Sequence, residues 1–362
     1  MLASPETLTM TSTEIGLIAS VYLVGQIIGA LVFGRLSDQL GRRRLLVMTL
    51  LLYLLGTGAA AFTTGHHTGW LVYFYATRLV AGMGIGGQYA AINSAIDEMM
   101  PSKYRGRVDI WINGSYWAGA ILGSFASLVF LNAFAANLGW RLAFLMGPVL
   151  ALVVLVVART LPESPRWLLT HGRVQEAEEE LAKIEEVARR SASHWPRSPR
   201  DAAITLVPEQ RYGYLYFLRL VFRQYPKRAI LGASLIITQS FLYNAIFFTY
   251  ALVLTSFYGV SATKVPLYGL AFSVGNLAGP LLLAPLFDSM GRKKMISGTY
   301  LVSGVLLAVS AWLFEIRSEA IAVFFTIGTI FGAMGPAFYG ALIGNGSSRT
   351  GLFIGYWSGR PS

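Results

Sequence analysis

Two stretches of this chain, far apart in the sequence, are close copies of one another. Gly34 to Leu45 reads GRLSDQLGRRRL, and Ala284 to Met295 reads APLFDSMGRKKM. Aligning them pairs Asp38 with Asp288, Gly41 with Gly291 and Arg42 with Arg292, while Arg43 and Arg44 fall on Lys293 and Lys294. Each copy reads as a short basic turn carrying one aspartate, held between two long apolar runs. These runs cover 15–33 and 45–62 around the first copy, and 265–287 and 295–314 around the second. The separation is too long for a solenoid, whose units repeat every ~20–50 residues. It fits two halves of one membrane protein, each bearing the same tight loop.

Composition agrees. Hydrophobic residues make up 54% of the 362 and charged residues only 13%, with a mean hydropathy of +0.55, too apolar for an ordinary soluble enzyme. Apolar runs of about 20 residues are what a bilayer core of roughly 30 Å asks of a helix. The formal charge of +11 raises the question of a nucleic-acid partner, and its placement answers it. Of the 29 Lys and Arg, all but Arg78, Arg141, Lys264 and Arg317 fall in alternate connections or the end segment, within 35–44, 103–107, 159–228, 292–294 and the tail. That alternation is the positive-inside pattern, with the basic loops cytoplasmic, and no nucleic acid is expected. There is no cysteine, which excludes disulfides and thiolate chemistry. His66, His67, His171 and His194 lie in connections without clustered carboxylates, so neither a metal nor a cofactor is expected. Residues 1–14 lack Lys and Arg and so are no signal peptide's basic region, and Ser12 or Thr13 can cap the helix that follows.

The expected fold is all-α and multi-pass, with spans over 15–33, 45–62, 70–96, 108–134, 141–158, 229–258, 265–287, 295–314 and 320–343. The first basic loop being cytoplasmic, residues 1–14 lie outside. The spans divide into an N-terminal bundle over 1–158, a cytoplasmic segment over 159–228 and a C-terminal bundle over 229–362. Within the middle segment, VQEAEEELAKIEEVARR at 174–190 places acids early and Arg189 and Arg190 late, complementing a helix dipole, so a surface helix is expected there. The proline-broken stretch 191–201 reads as a linker. Matching the two halves leaves no counterpart for the helix that precedes the second copy's leading helix. The tail from Gly344 is polar and glycine-rich, with no closing span. A chain truncated at both ends is expected on that reading.

The accumulated motifs resemble those of the major facilitator superfamily, and within it the sugar porters. Gly34-x-x-x-Asp38-x-x-Gly41-Arg42-Arg43 fits the superfamily's loop motif, and Asp288-x-x-Gly291-Arg292-Lys293 its second-half copy. Arg78-x-x-x-Gly82-x-Gly84-x-Gly86 matches the pattern of the fourth family helix, and Glu98-x-x-Pro101-x-x-x-Arg105-Gly106-Arg107 follows in register. Pro162-Glu163-Ser164-Pro165-Arg166-Trp167-Leu168 matches the sugar porter signature without a mismatch. The resemblance implies two pseudo-symmetric helical bundles in the cell membrane and secondary transport of a small polar metabolite, a sugar among the options, with protons as the coupling ion in symport. Organic or aromatic acids are the alternative cargo, and a sensor or remnant that binds without transporting is a further one. An embedded enzyme is not expected, since no HExxH motif or nucleophile–base cluster occurs. By family register the first, eleventh and twelfth helices are missing.

Several residues carry functional readings beside plainer ones. Asp38 and the arginines can lock helix ends by charge-assisted hydrogen bonds, with Glu98, Arg105, Arg107, Glu163 and Arg166 extending the network as an inner gate. The plainer reading has the arginines setting topology and Asp38 capping. Arg78, inside an apolar helix, costs roughly 2.5–3.5 kcal/mol if it reaches the bilayer centre. It resembles the family arginine that pairs with a first-helix acid in proton-coupled members, or it snorkels to the outer surface. Gly82, Gly84, Gly86 and Gly87 follow no strand, so close helix packing replaces a dinucleotide loop. For the substrate path, family register singles out Asn113, Gln239, Asn244 and Asn276, with Tyr243 and Tyr250 on the face of Gln239. Neutral amides suit a polyhydroxylated ligand. The plainer reading is interhelical glue worth about 0.6 kcal/mol per bond.

Overall fold

The computed structural model describes residues 2, 7–99, 105–158, 162–191, 214–261, 263–290 and 292–313. Every element among them is helical: α1 (Ser12–Leu40), α2 (Arg42–Ala60), α3 (Thr68–Met99), α4 (Arg105–Ala133), α5 (Ala136–Ala158), α6 (Pro165–Thr170), α7 (Val174–Ser191), α8 (Tyr214–Gln224), α9 (Pro226–Phe257), α10 (Val265–Met290) and α11 (Arg292–Leu313). The expected spans from 15–33 to 295–314 each coincide with a long helix, and the surface helix expected at 174–190 is α7. The span expected at 320–343, the stretch 192–201 and the tail lie outside the described residues.

Long apolar helices form here because an unbroken apolar sequence satisfies its own backbone hydrogen bonds within the segment, which a bilayer demands. Among the described residues Ser12–Leu40, Arg42–Ala60, Gly114–Ala133 and Asn137–Val156 are long and apolar enough to cross a membrane. Large apolar side chains point outward along several helices, among them Ile27, Leu55, Val153 and Leu282. An exterior of this kind belongs in lipid, since soluble surfaces rarely carry extended apolar patches.

Two expectations need correction. The stretch 34–45 is no turn: α1 runs on through Leu40, and α2 begins at Arg42, leaving one residue between them. Polar side chains past the apolar run suggest a loop, whereas α1 extends about two turns beyond it before Gly41 stops it. The cap of α1 is Thr11 rather than Ser12 or Thr13. Its hydroxyl accepts from the Glu14 amide, and the Glu14 carboxylate accepts from the Thr11 amide in a reciprocal capping box. The same carboxylate meets His66 Nε2 at 3.1 Å, tying the start of α1 to the α2–α3 connection.

The first three helices pack through glycine. A Cβ at Gly25 or Gly29 of α1 would overlap the carbonyl oxygens of Leu79 or Met83. One at Gly82 or Gly86 of α3 would overlap those of Tyr22 or Gln26. The four glycines therefore interlock at four-residue spacing on both helices, in the small-residue manner of membrane interfaces. Gly84 points the other way, where a Cβ would lie 2.6 Å from the Tyr53 amide of α2. The glycine run of α3 is thus a two-sided wedge between α1 and α2. Helix α5 packs on α2 and α4, and α4 packs along α10, which joins the N-terminal helices to the C-terminal ones.

At the Ala61 end, Arg141 of α5 takes up the buried carbonyls at and just past the C-terminus of α2. Its Nη1 donates to Ala61 O, its Nη2 to Thr63 O at 2.7 Å and its Nε to Asn137 Oδ1, with the guanidinium over the Trp140 ring. Removing it by Arg141→Ala is expected to lower stability by about 1.5–3 kcal/mol, the usual worth of hydrogen bonds to a charged group. Arg141→Lys should recover only part of this, because one ammonium cannot reproduce the forked geometry. Thermal unfolding of the detergent-purified protein reads both.

Candidate functional site

Two places gather polar chemistry. One is the junction of α1 and α2. Gly41 has φ +90°, a conformation that glycine adopts without strain, and its amide donates to Ser37 O. A Cβ there would lie 2.6 Å from Glu163 Oε2. The Glu163 carboxylate occupies that space and accepts from the amides of Arg42 at 2.8 Å and Arg43 at 3.3 Å, the first free donors of α2. An anion at a helix N-terminus is stabilised by those unsatisfied N–H groups and by the helix dipole. Ser164 caps α6 through its Oγ, and Trp167 Nε1 donates to Asp38 O at 2.8 Å, so α6 grips the last turn of α1 while Glu163 grips the first turn of α2. Asp38 pairs with Arg42 at 3.1 Å across the one-residue junction, and Arg42 Nη1 also donates to Ser37 O.

Asp38, Gly41, Arg42, Arg43 and Glu163 are thus brought together, with one difference from expectation. Glu163 binds the arginines' backbone amides in these contacts, which residue letters do not advertise. Arg166 lies in the first turn of α6 with no hydrogen bond or ion pair among the described residues. Gly34 has open space where a Cβ would project. The side chains of Glu98, Arg105, Arg107, Asp288 and Arg292, and Gly291 altogether, lie outside the described residues.

The second place is the seam where α1 and α4 face α9 and α10. Trp117 of α4 meets Phe272 of α10 edge-on at 5.9 Å, Phe272 stacks on Tyr250 of α9 at 6.1 Å, and Tyr22 of α1 meets Phe248 of α9 at 6.3 Å. One turn beyond Phe272, Asn276 is 0% exposed; its Nδ2 donates to Phe272 O at 2.8 Å, and its Oδ1 has no partner among the described residues. Asn244, half-buried on α9, likewise donates to the Ser240 carbonyl of its own helix. The side chains of Asn113, Gln239 and Tyr243 are outside the described set.

Arg78 lies on α3, against α2 and α5, and is only 9% exposed. Its Nη2 donates to Gly56 O at 3.1 Å and its Nε has no acceptor, while the guanidinium lies over Phe144 at 5.0 Å and Phe74 at 5.6 Å. It is buried in the bundle instead of snorkelling. Tyr22 of α1 and Tyr53 of α2 lie on the two helices that α3 wedges apart, where Gly82 meets the Tyr22 carbonyl and Gly84 the Tyr53 amide. These tyrosines were missed from the sequence, where their rings pass for ordinary apolar filling.

Comparison with known proteins places this arrangement. The sugar (and other) transporter family model matches residues 2–345. The chain belongs to that family. It is therefore a multi-pass membrane protein of the major facilitator superfamily, of the sugar porter type. The niacin transporter NiaP of Acinetobacter baylyi is 29% identical over 289 residues, covering 80% of this chain and 62% of that protein. The glucose transporter GlcP of Staphylococcus epidermidis is 26% identical over 329 residues, covering 86% and 66%. This chain thus spans about two thirds or less of the length of either relative. In fold it matches the partially occluded inward-open xylose transporter XylE of Escherichia coli, with a TM-score of 0.70 at 20% identity over 98% of this chain and 82% of that one. The XylE proton:xylose symporter bound to 6-bromo-6-deoxy-D-glucose matches with a TM-score of 0.69 at 21% identity, over 98% and 79%.

Proposed function

We propose that this chain carries a small polar metabolite across the cell membrane by alternating access, with protons as the coupling ion. The observation that carries the reading is Asn276, a fully buried amide with an orphaned oxygen one turn from the Phe272 ring that meets α4. A buried polar group with half its capacity unused is costly, and rocking one bundle against the other opens such a seam to a ligand. Asn276, Asn244, Asn113, Gln239 and Tyr243 are the substrate contacts on this reading. The junction of Gly41, Asp38, Arg42, Arg43 and Glu163, with Glu98, Arg105, Arg107 and Arg166 and the second copy at Asp288, Gly291 and Arg292, forms the inner gate. The basic connections face the cytoplasm and residues 1–14 the outside. Arg78 is the charge through which proton and substrate movement communicate.

Two cargo classes follow the relatives. The glucose transporter favours a sugar, which neutral amides suit. The niacin transporter favours an aromatic acid, and the aromatic seam supports that second reading. Uptake of labelled sugars and aromatic acids into proteoliposomes under an imposed proton gradient tests both, using this chain and the longest reading frame that contains it. Saturable uptake that an uncoupler abolishes is expected for one class. Folded protein that moves neither class in either form overturns the carrier reading and leaves binding without transport.

A further inference from the structure

Gly269, Phe272, Ser273 and Asn276 share one face of α10, being spaced as neighbours on a helix surface. Phe272, Ser273 and Asn276 are each 2% exposed or less. Ser273 turns its hydroxyl back to the Gly269 carbonyl at 2.8 Å, as Asn276 turns its amide back to the Phe272 carbonyl. This face meets α4 and α9 through rings. Trp117 of α4, 4% exposed, stands edge-on to Phe272, and Tyr250 of α9 lies parallel to it, the two planes 6° apart. The Tyr250 hydroxyl then falls over Gly269. A Cβ there would come 2.6 Å from the phenol oxygen and 3.7 Å from Cζ, with Ser124 Oγ of α4 at 3.4 Å. Helices of both bundles thus converge on a position that has no side chain. Gly269 has an ordinary helical backbone, so space and not conformation is what glycine supplies there.

Resting on the carrier reading, we infer that Gly269 is a positioning residue for closure of the seam. The room it leaves lets the Tyr250 ring seat flat on Phe272, and the Trp117–Phe272–Tyr250 stack so formed shuts Asn276 off from one end of the bundle. Tyr250 precedes the end of α9 at Phe257 by about two turns, and Phe272 follows the start of α10 at Val265 by about two. The stack therefore stands between Asn276 and the α9–α10 connection. When the bundles rock apart, the phenol leaves its seat over Gly269 and the amide is uncovered. A methyl group added at 269 obstructs the hydroxyl alone, since Cζ at 3.7 Å is at ordinary contact distance. A phenylalanine ring fits beside that methyl where a tyrosine ring does not.

The chain has no cysteine, so Asn276→Cys supplies a single reporter thiol. Its reaction with an impermeant maleimide in sealed vesicles reads the closure without any cargo. In that background Gly269→Ala is expected to speed labelling from the side of the α9–α10 connection by about tenfold, the effect of overpacking a close contact. Labelling from the other side should be no faster, and equal acceleration from both sides, the mark of general loosening, overturns the inference. Tyr250→Phe keeps the stack and should change the rate by no more than about threefold. Added to Gly269→Ala, it should bring the rate back to that level. Tyr250→Ala removes the ring and should label fast whether residue 269 is glycine or alanine. Unchanged labelling in Gly269→Ala overturns the inference, and so does fast labelling that Tyr250→Phe fails to reverse. If Gly269→Ala does not fold, slow labelling in Tyr250→Ala overturns it alone. Acceleration that Tyr250→Phe reverses, in protein that takes up no cargo, supports the seat at Gly269 and sinks the carrier. Saturable uptake with no change of labelling in Gly269→Ala sinks the seat and leaves the carrier standing.

Discussion

Replacing Gly86 by valine is expected to leave almost no folded protein in the membrane. The backbones of α1 and α3 approach where Gly86 faces the Gln26 carbonyl oxygen, and a Cβ would occupy that oxygen's position. Inserting even small groups into a tight core costs about 1–3 kcal/mol where side chains can shift. Here the obstacle is backbone on a rigid helix, so the helices must separate, and the neighbouring contacts at Gly25, Gly29 and Gly82 separate with them. Gly119 and Gly123 of α4 have open space at the same test, and alanine there should be neutral to within about 0.5 kcal/mol. Fluorescence-detected size-exclusion chromatography of detergent extracts reads both. A monodisperse Gly86→Val protein at normal yield would mean that α1 and α3 do not pack as described.

The second large effect is expected at Glu163. Glu163→Ala strips the anion from the N-terminus of α2 and leaves the Arg42 and Arg43 amides without their carboxylate. Losing a helix cap of this kind costs about 0.5–2 kcal/mol. The junction belongs to the proposed gate, so part of that cost falls on the balance between its closed and open states. A bias of about 1.4 kcal/mol changes such a population ratio tenfold. Uptake should accordingly fall by about tenfold while the protein still folds, its thermal midpoint lower by a few degrees. Glu163→Gln keeps an acceptor oxygen and should fall between the two. Unchanged uptake and unchanged thermal stability in Glu163→Ala would show that the carboxylate is incidental to the junction.

Much of the fold was legible because a bilayer imposes one requirement on every span. An apolar run near 20 residues has few alternatives to a helix, so α2 to α5 and α9 to α11, and the start of α1, could be placed within a few residues. Misreadings came where that requirement lapses. Residues 34–40 continue α1 despite Arg35 and Asp38, because a helix leaving the bilayer need not stop at its edge. The short amphipathic α8 has no apolar run to mark it and was overlooked. In the site, the Asp38–Gly41–Arg42 pattern fell on the α1–α2 junction, yet the contacts of Glu163 were hidden because its partners there are main-chain amides. Arg141 looked like an exception to the charge pattern and turns out to close the end of α2. The surroundings of Arg78 could not be seen, since Gly56 and Phe144 reach it only when α2, α3 and α5 pack.

The proposed carrier function requires the seam between α4 and α10 to open to each side of the membrane in turn. The chain has no cysteine, so Asn276→Cys introduces a single thiol at a fully buried position of that seam. Its labelling by a membrane-impermeant maleimide, applied to either side of sealed vesicles, is the most direct measurement. Alternating access predicts slow labelling from both sides, with the two rates moving in opposite directions when a proton gradient is imposed. Labelling from one side only, or from neither in folded protein under any gradient, would contradict it.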